Sequence, residues 1–247
     1  DPFYRKPPLL APQSLTHGIP GRIDYQGAEL ESLDEDAVRA AARALKADGV
    51  ESVAVSYLFS FQNPAHEQRT AEILAAESDD WRVSLSSVVL PTIREYPRQS
   101  TTVIDAYVGP IMQRYLERLS DRLVERGVVT PQVFLMQSNG GLMRITIGAR
   151  FPNQTLLSGP AGGVVAGEEL ARITGQQEIV TLDMGGTSTD IAMITGGRAN
   201  ETNEGKIAGQ DIGTPMLQVR TLGAGGGTIA RIGPDGLLKV GPESAGA

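Results

Sequence analysis

Two apolar, β-branched runs, Glu178–Leu182 and Ile191–Thr195, stand on either side of Asp183-Met184-Gly185-Gly186-Thr187-Ser188-Thr189-Asp190. Strand-forming runs joined by a short glycine-containing connection close into a hairpin. The hairpin brings a carboxylate at each end of the connection to one place, with Gly185, Gly186, Thr187, Ser188 and Thr189 between them. Backbone N–H groups with no Cβ in the way converge on anionic oxygens, and short hydroxyls add donors. Asp183, at the end of a strand, is suited to hold a magnesium ion through water or to orient an attacking water. Asp190 is suited to the same work, or to bonding the turn's own amides. A lone Gly-Gly turn is most simply a decorated hairpin without a ligand. Two carboxylates and three consecutive hydroxyl residues favour a phosphate site.

Two further glycine clusters admit two interpretations each. In Ser158-Gly159-Pro160-Ala161-Gly162-Gly163, which leads into an apolar helix ending near Ile173, a glycine-rich helix start offers free N–H groups to an anion. The same glycines also suit close packing on a sheet. Gly223-Ala224-Gly225-Gly226-Gly227-Thr228 follows a strand-like run, Met216–Leu222. Its small residues allow either a ligand or a neighbouring strand to come close to the main chain. It is a poor dinucleotide fingerprint, with Thr228 in sixth place and no acidic residue about twenty positions on. No Walker-type G-x-x-x-x-G-K-[ST] is present. Upstream, Ser138-Asn139-Gly140-Gly141 follows the strand-like Val133–Gln137 and forms another candidate ligand-facing loop.

The first half alternates in period. Residues 1–20 hold five prolines and predict an extended lead-in. Ser32-Leu33-Asp34-Glu35 has a capping-box pattern and opens a helix through Lys46, closed at Gly49. Val53–Phe59 predicts a buried strand, Asn63-Pro64 starts a helix to about Glu77, and Arg82–Leu90 is again strand-like. The longest helix is expected from about Thr101 to Arg126, with Ile111, Tyr115, Leu119 and Leu123 on one face and Pro110 kinking it or starting a second helix. Helix and strand alternating in this way indicate an α/β layer.

Composition excludes several chemistries. The chain has 247 residues, 40% hydrophobic and 21% charged, and a net charge of -7. That charge leaves no basic footprint for nucleic acid or an anionic membrane. No cysteine is present, which removes disulfides, thiolate nucleophiles and Cys-ligated zinc. The two histidines, His17 in the lead-in and His66 at a helix start, stand in unlikely places for a triad or a multi-histidine metal site. A cytoplasmic location is compatible with all of this. The chain opens in Asp1-Pro2-Phe3-Tyr4 and stops in Glu243-Ser244-Ala245-Gly246-Ala247, neither with the look of a natural terminus, so an excised or processed piece is expected.

Asp183–Asp190 resembles the second phosphate motif of the sugar kinase, heat-shock protein and actin superfamily, whose members clamp ATP between two RNase H-like lobes. Four further segments narrow the resemblance. Arg94-Glu95-Tyr96-Pro97-Arg98-Gln99-Ser100-Thr101-Thr102, Met136–Gly141, Ser158–Gly163 and Gly223–Gly227, with Glu243–Ala247 after them, occur in this order in the hydantoinase A/5-oxoprolinase/acetone carboxylase β-subunit family. The resemblance covers nearly all the chain from about Arg22. It implies an RNase H-like mixed sheet flanked by helices, with a second lobe that is incomplete. On this basis residues 1–20 form a lead-in, 21–100 complete a first lobe, and 101–247 form the lobe carrying the phosphate turn.

The resemblance also implies ATP and Mg2+ as cofactors, Asp183 and Asp190 as catalytic residues, and Asp183 as metal ligand. The cofactor would lie against Gly185, Gly186, Thr187, Ser188, Thr189, Gly159, Gly162, Gly163, Gly225, Gly226 and Gly227, and the substrate against Ser138, Asn139, Gly140 and Gly141. The implied activity spends ATP to open a cyclic amide such as a hydantoin or 5-oxoproline, or to prime a ketone for carboxylation, with a hydantoinase B-type partner chain. The chain departs from the family at Gln218 and Arg220, where relatives tend to carry Asp and His. That departure motivates a second expectation, a non-catalytic nucleotide-binding or regulatory subunit; a small-molecule kinase of the same superfamily is a third.

Overall fold

A computed structural model describes residues 7–130 and 132–246. The first six residues of the lead-in, and Ala247 of the C-terminal pattern, lie outside the described residues. The chain divides into two compact units: residues 1–133, 144–153 and 203–214 form the first, and residues 134–143, 154–202 and 215–247 the second.

In the first unit, α1 (Glu35–Ala47) is capped by Asp34, whose side chain accepts from the Ala37 N–H at 2.9 Å. The cap expected at Ser32 thus falls two residues later. Val38, Ala42 and Leu45 share the buried face of α1, and Gly49 follows with φ +72°. Next comes β1 (Ser52–Val55), shorter than the expected Val53–Phe59 run, which leaves the strand after Val55 and reaches positive φ at Phe59. After α2 (Ala65–Glu77) the chain enters β2 (Arg82–Leu85), which pairs with β1 in parallel, residue for residue from Ser52↔Arg82 to Val55↔Leu85. This is a β-α-β unit, and its core is Ala42, Val55 and Leu74 with Trp81 and Val83 against them.

The long helix, α3 (Glu95–Glu125), begins before the expected Thr101 and runs without a break through residue 100, the boundary drawn from sequence. Pro110 lies inside it. A proline removes the N–H that would bond four residues back, and here the freed Ala106 carbonyl accepts the Ser52 hydroxyl at 2.8 Å. Beyond Pro110 only Leu116 is buried, whereas Ile111 and Tyr115 are exposed. Of the apolar stripe expected there, Leu119 and Leu123 are half-buried, and full burial concentrates in the N-terminal half, from Arg98 to Gly109.

That half carries a buried polar network. Arg98 is fully buried; its guanidinium donates to the Ser86 hydroxyl at 3.2 Å and to the carbonyls of Thr92 and Tyr57, each at 2.9 Å. Ser86 in turn donates to the carboxylate of the fully buried Glu67 at 2.5 Å, which also accepts the N–H groups of Tyr57 and Ser87. Each charge is surrounded by hydrogen-bonding partners, the condition under which buried charge is tolerated. Near the other end of β2, Asp105 accepts from Ser84 at 2.7 Å and from Arg82 at 3.3 Å; burial pushes its carboxyl above the ordinary aspartate value. His66, also buried, bonds Glu29 at 3.0 Å, a contact that ties α2 to the short hairpin of Arg22–Ile23 and Glu29–Glu31.

The second unit opens with β3 (Phe134–Met136) and β4 (Leu142–Arg144), a two-stranded sheet. It continues with α4 (Ser158–Thr174), β5 (Ile179–Met184) and β6 (Thr189–Thr195). These are followed by β7 (Val219–Leu222), β8 (Thr228–Ile232) and β9 (Leu238–Ser244). The central sheet runs β7-β6-β5, all antiparallel, and the short strand Arg198–Ala199 also pairs with β6. One face of α4, Ala161, Val164 and Ala171, packs with Ala192, Ile194 and Leu217 to form the core. Gly167 lets the helix come this close, since a Cβ there would lie 2.6 Å from both Ile194 and Thr181. Among the described residues, no helix is long and apolar enough to cross a membrane.

Glu67→Ala removes the acceptor of the half-buried Tyr57 and Ser87 N–H groups and of the buried Ser86 hydroxyl while leaving Arg98 in place. It should destabilise the first unit by roughly 3 kcal/mol, measured by urea denaturation; a change under about 1 kcal/mol contradicts the network's role. On the surface, the guanidiniums of Arg69 and Arg39 hold the Glu35 carboxyl down to about 2, against an ordinary 4.5. A depressed carboxyl stabilises the fold above its unfolded pKa and loses that contribution as pH falls through the folded value. Glu35→Gln should therefore melt below wild type at neutral pH, with the gap closing as pH approaches 2. A gap that persists unchanged would assign the effect to something other than ionisation.

Candidate functional site

The hairpin is built as the sequence predicts. β5 and β6 pair in one register, with Asp183 opposite Asp190 and Met184 opposite Thr189. Residues directly opposite in an antiparallel pair point to the same face, so the two carboxylates lie side by side. Their face is the one that α4 covers. A cleft of about 170 Å³ is lined there by Pro160, Gly163, Thr181, Asp183, Asp190 and Val219, among others. Asp183 is exposed and Asp190 half-buried. The Thr221 hydroxyl, on the neighbouring β7, donates to Asp190 Oδ1 at 2.5 Å and fixes that carboxylate's orientation.

The turn itself, Gly185 to Ser188, closes with the Gly185 N–H donating to the Ser188 carbonyl at 2.9 Å. Among the described residues, the amides of Gly186, Thr187 and Ser188 have no acceptor in the protein. Thr187 is exposed and Ser188 half-buried. Thr189 departs from expectation. It is buried, and its hydroxyl donates to the Ala224 carbonyl at 2.5 Å, so it serves the fold and not a phosphate.

The glycine clusters now separate. At Gly159, Gly162 and Gly163 an added Cβ would meet no atom within 4 Å. Close packing therefore does not account for them, and each weakens the helix by about 1 kcal/mol relative to alanine. They leave the first turns of α4 bare beside the cleft, which suits a bulky ligand against the backbone. The opposite holds for the triple glycine. A Cβ on Gly225 would lie 2.6 Å from the Gly185 carbonyl oxygen and 2.7 Å from the Thr187 nitrogen, and one on Gly227 would collide with Gly246 and Gly186. Their amides are also engaged: Gly225 N–H donates to Thr228 Oγ1, Gly226 N–H to the Gly185 carbonyl and Gly227 N–H to the Gly186 carbonyl. Of the two interpretations open for Gly225, Gly226 and Gly227, a ligand or a neighbouring strand close to the main chain, the packing favours the second: they lie against the turn and hold it.

Ser138-Asn139-Gly140-Gly141 is likewise absorbed into the fold. The loop turns β3 into β4, with Gly140 at φ +81° and the Gly141 N–H donating to Asn139 Oδ1 at 3.0 Å. Ser138 is buried; its hydroxyl accepts the Leu157 N–H at 3.1 Å and its carbonyl accepts the Leu217 N–H at 2.8 Å. These bonds anchor the start of α4, which leaves Asn139 and the backbone as the loop's remaining polar surface. Gln218 and Arg220 are both exposed. On β7, Val219 lines the cleft and Thr221 bonds Asp190, so alternation turns Arg220 to the opposite face of the sheet. Neither Gln218 nor Arg220 lines the cleft.

The donor set suits a polyphosphate with a divalent cation. It offers unengaged consecutive amides, two exposed or half-exposed hydroxyls and two adjacent carboxylates, the oxygen ligands that Mg2+ prefers. Among the described residues, no cluster of three or more His, Cys, Asp or Glu side chains forms a dedicated metal cage. A cation here would draw much of its coordination from phosphate and water.

The chain matches the family profile described as hydantoinase/oxoprolinase over residues 98–247, and that of the hydantoinase/oxoprolinase N-terminal region over residues 4–78. It is 42% identical to the caprolactamase subunit alpha of Pseudomonas jessenii, covering all of this chain and 35% of that one. The crystal structure of the ATP-dependent caprolactamase from Pseudomonas jessenii superposes with a TM-score of 0.83 at 41% identity, over all of this chain and 36% of its own. The nucleotide-free structure of an acetone carboxylase, from a study of ATP-dependent acetone carboxylation, gives 0.86 at 33% identity, over 98% of this chain and 34% of its own. The fold is thus α/β of the RNase H-like ATPase type. The chain spans about a third of the length of these relatives. It belongs to the hydantoinase/oxoprolinase family.

Proposed function

We propose that the chain is the phosphate-gripping part of an enzyme that spends ATP, with Mg2+, to activate an unreactive amide or carbonyl oxygen. The observation that carries this reading is the pairing of Asp183 with Asp190 beside a turn whose amides at Gly186, Thr187 and Ser188 are unengaged. The turn amides and the Thr187 and Ser188 hydroxyls hold the phosphates. Asp183 holds the cation, through water, and Asp190, fixed by Thr221, orients the attacking group or a second water. The bare backbone at Gly159, Gly162 and Gly163 accommodates the rest of the nucleotide or the substrate. ATP supplies a phosphoryl group that turns a poor electrophile into a good one, and the fixed donors stabilise charge on that group during transfer.

The substrate class proposed is a cyclic amide, opened by hydrolysis: a hydantoin, 5-oxoproline or a lactam such as caprolactam. This follows the 42% identity to a caprolactamase subunit. A ketone primed for carboxylation is the variant that the likeness to acetone carboxylase supports. The relative named as subunit alpha works within an assembly, which supports a second, hydantoinase B-type chain as partner. A cytoplasmic setting accords with a supply of ATP and with the lack of cysteine.

The whole protein, assayed with its partner chain on hydantoin, 5-oxoproline, caprolactam and acetone, should couple ATP hydrolysis to loss of one of them. Asp183→Asn should lower kcat by roughly a hundredfold or more; unchanged kcat contradicts the assignment of Asp183. A stable phosphorylated product would identify a small-molecule kinase instead, and nucleotide binding with no turnover on any of the four a regulatory subunit. The 247-residue chain by itself should bind phosphate weakly and show no turnover. Sustained ATP hydrolysis by it would contradict the view that it holds only part of the nucleotide site.

A further inference from the structure

The carbonyls of Gly185 and Gly186 are consecutive, and both are bonded by consecutive amides of one loop, Gly226 at 2.9 Å and Gly227 at 2.7 Å. The Ser244 hydroxyl adds a second, longer bond to the Gly186 carbonyl at 3.3 Å. A trans peptide sets its N–H opposite its C=O. Fixing the Gly185 carbonyl therefore fixes the N–H of Gly186, and fixing the Gly186 carbonyl fixes the N–H of Thr187. Both N–H groups point away from the amides that bond the carbonyls, side by side. Gly225 lies flat against the same peptide, so close that no other residue fits without displacing it.

The loop is itself held at two points. The Thr189 hydroxyl donates to the Ala224 carbonyl at its start, and Thr228 Oγ1 accepts the Gly225 N–H from its end, each at 2.5 Å. Thr189 is buried at the foot of β6, one residue from Asp190. Neither threonine hydroxyl is placed as a phosphate ligand, and both fasten the element that aims the ligands.

We infer that Ala224–Thr228 is a positioning loop for the Asp183–Asp190 turn: it presets the amides of Gly186 and Thr187 to converge on one anion, with Thr189 and Thr228 as its latches. The inference rests on the phosphate reading of that turn. Preset donors lower the ordering cost of binding and recognise a phosphate oxygen without rearrangement. The loop is thus a second determinant of phosphate affinity that touches no phosphate.

The test uses the 247-residue chain and its Thr189→Val, Thr189→Ser and Thr228→Val variants, with Mg2+-tripolyphosphate as the probe. Amide hydrogen exchange at Gly226 and Gly227 reads the loop, and calorimetry reads the Kd. Thr189→Val should speed exchange at both amides and weaken tripolyphosphate binding, each by about tenfold, with far-UV circular dichroism unchanged. Thr189→Ser, which restores the hydroxyl, should recover both, a rescue that loss of packing alone would not give. Should Thr189→Val fail to fold, Thr228→Val decides by the same two readouts. Faster exchange with an unchanged Kd overturns the positioning role. Exchange that responds as expected in a chain whose wild type binds no tripolyphosphate overturns the phosphate reading itself, and the loop's assignment to it.

Discussion

The second unit depends on a contact between two stretches of bare backbone. Gly225 and Gly227 approach the turn at Gly185 and Gly186 so closely that neither has room for a β-carbon, and the amides of Gly226 and Gly227 bond the Gly185 and Gly186 carbonyls across the gap. A side chain on Gly225 or Gly227 would force the hairpin turn away from the loop. Because the carbonyls of the turn are engaged inward, its amides are left outward, and the polarity of the site is set by backbone geometry. The first strand residue after the turn, Thr189, fastens the same contact from beneath.

From that contact the sheet divides its work by alternation. On one face of β5, β6 and β7 stand Thr181, Asp183, Asp190, Ala192, Val219 and Thr221, which form the floor of the cleft under α4 or reach its carboxylates. On the other face Val180, Leu182, Met184 and Met193 are exposed, together with Arg220. A single-residue slip of the hairpin would exchange these faces and set Met184 on the cleft face where Asp183 now stands. The register and the chemistry are therefore specified by the same residues.

Much of this was legible in the sequence. The hairpin, its two facing carboxylates, the helix from Ser158 and the α/β alternation follow from apolar runs, turn residues and caps. What composition cannot reveal is the space around a glycine. Gly163 and Gly225 have identical side chains and similar neighbours, yet one faces open space and the other a carbonyl oxygen. The same limit applies to hydroxyls: Thr187 and Thr189 are two residues apart, and only packing shows that the second is buried and engaged. Thr221 was not singled out. Its signal lay in the strand pattern, since it is two residues on from Val219 and directly opposite Asp190. Along α3, the periodic stripe of Ile111 and Tyr115 marked a genuine apolar face but not its burial, because periodicity reports which residues share a face and not what covers it.

The central claim is that the Asp183–Asp190 turn receives the phosphates of a magnesium nucleotide. The most direct measurement is a two-dimensional amide NMR titration of the 247-residue chain with Mg2+ and a non-hydrolysable ATP analogue. The account predicts saturable shifts concentrated at Gly186, Thr187, Ser188 and the first turns of α4 around Gly159 to Gly163. Shifts absent from those amides at saturating nucleotide, or centred in the first unit around Arg98 and Glu67, would contradict it.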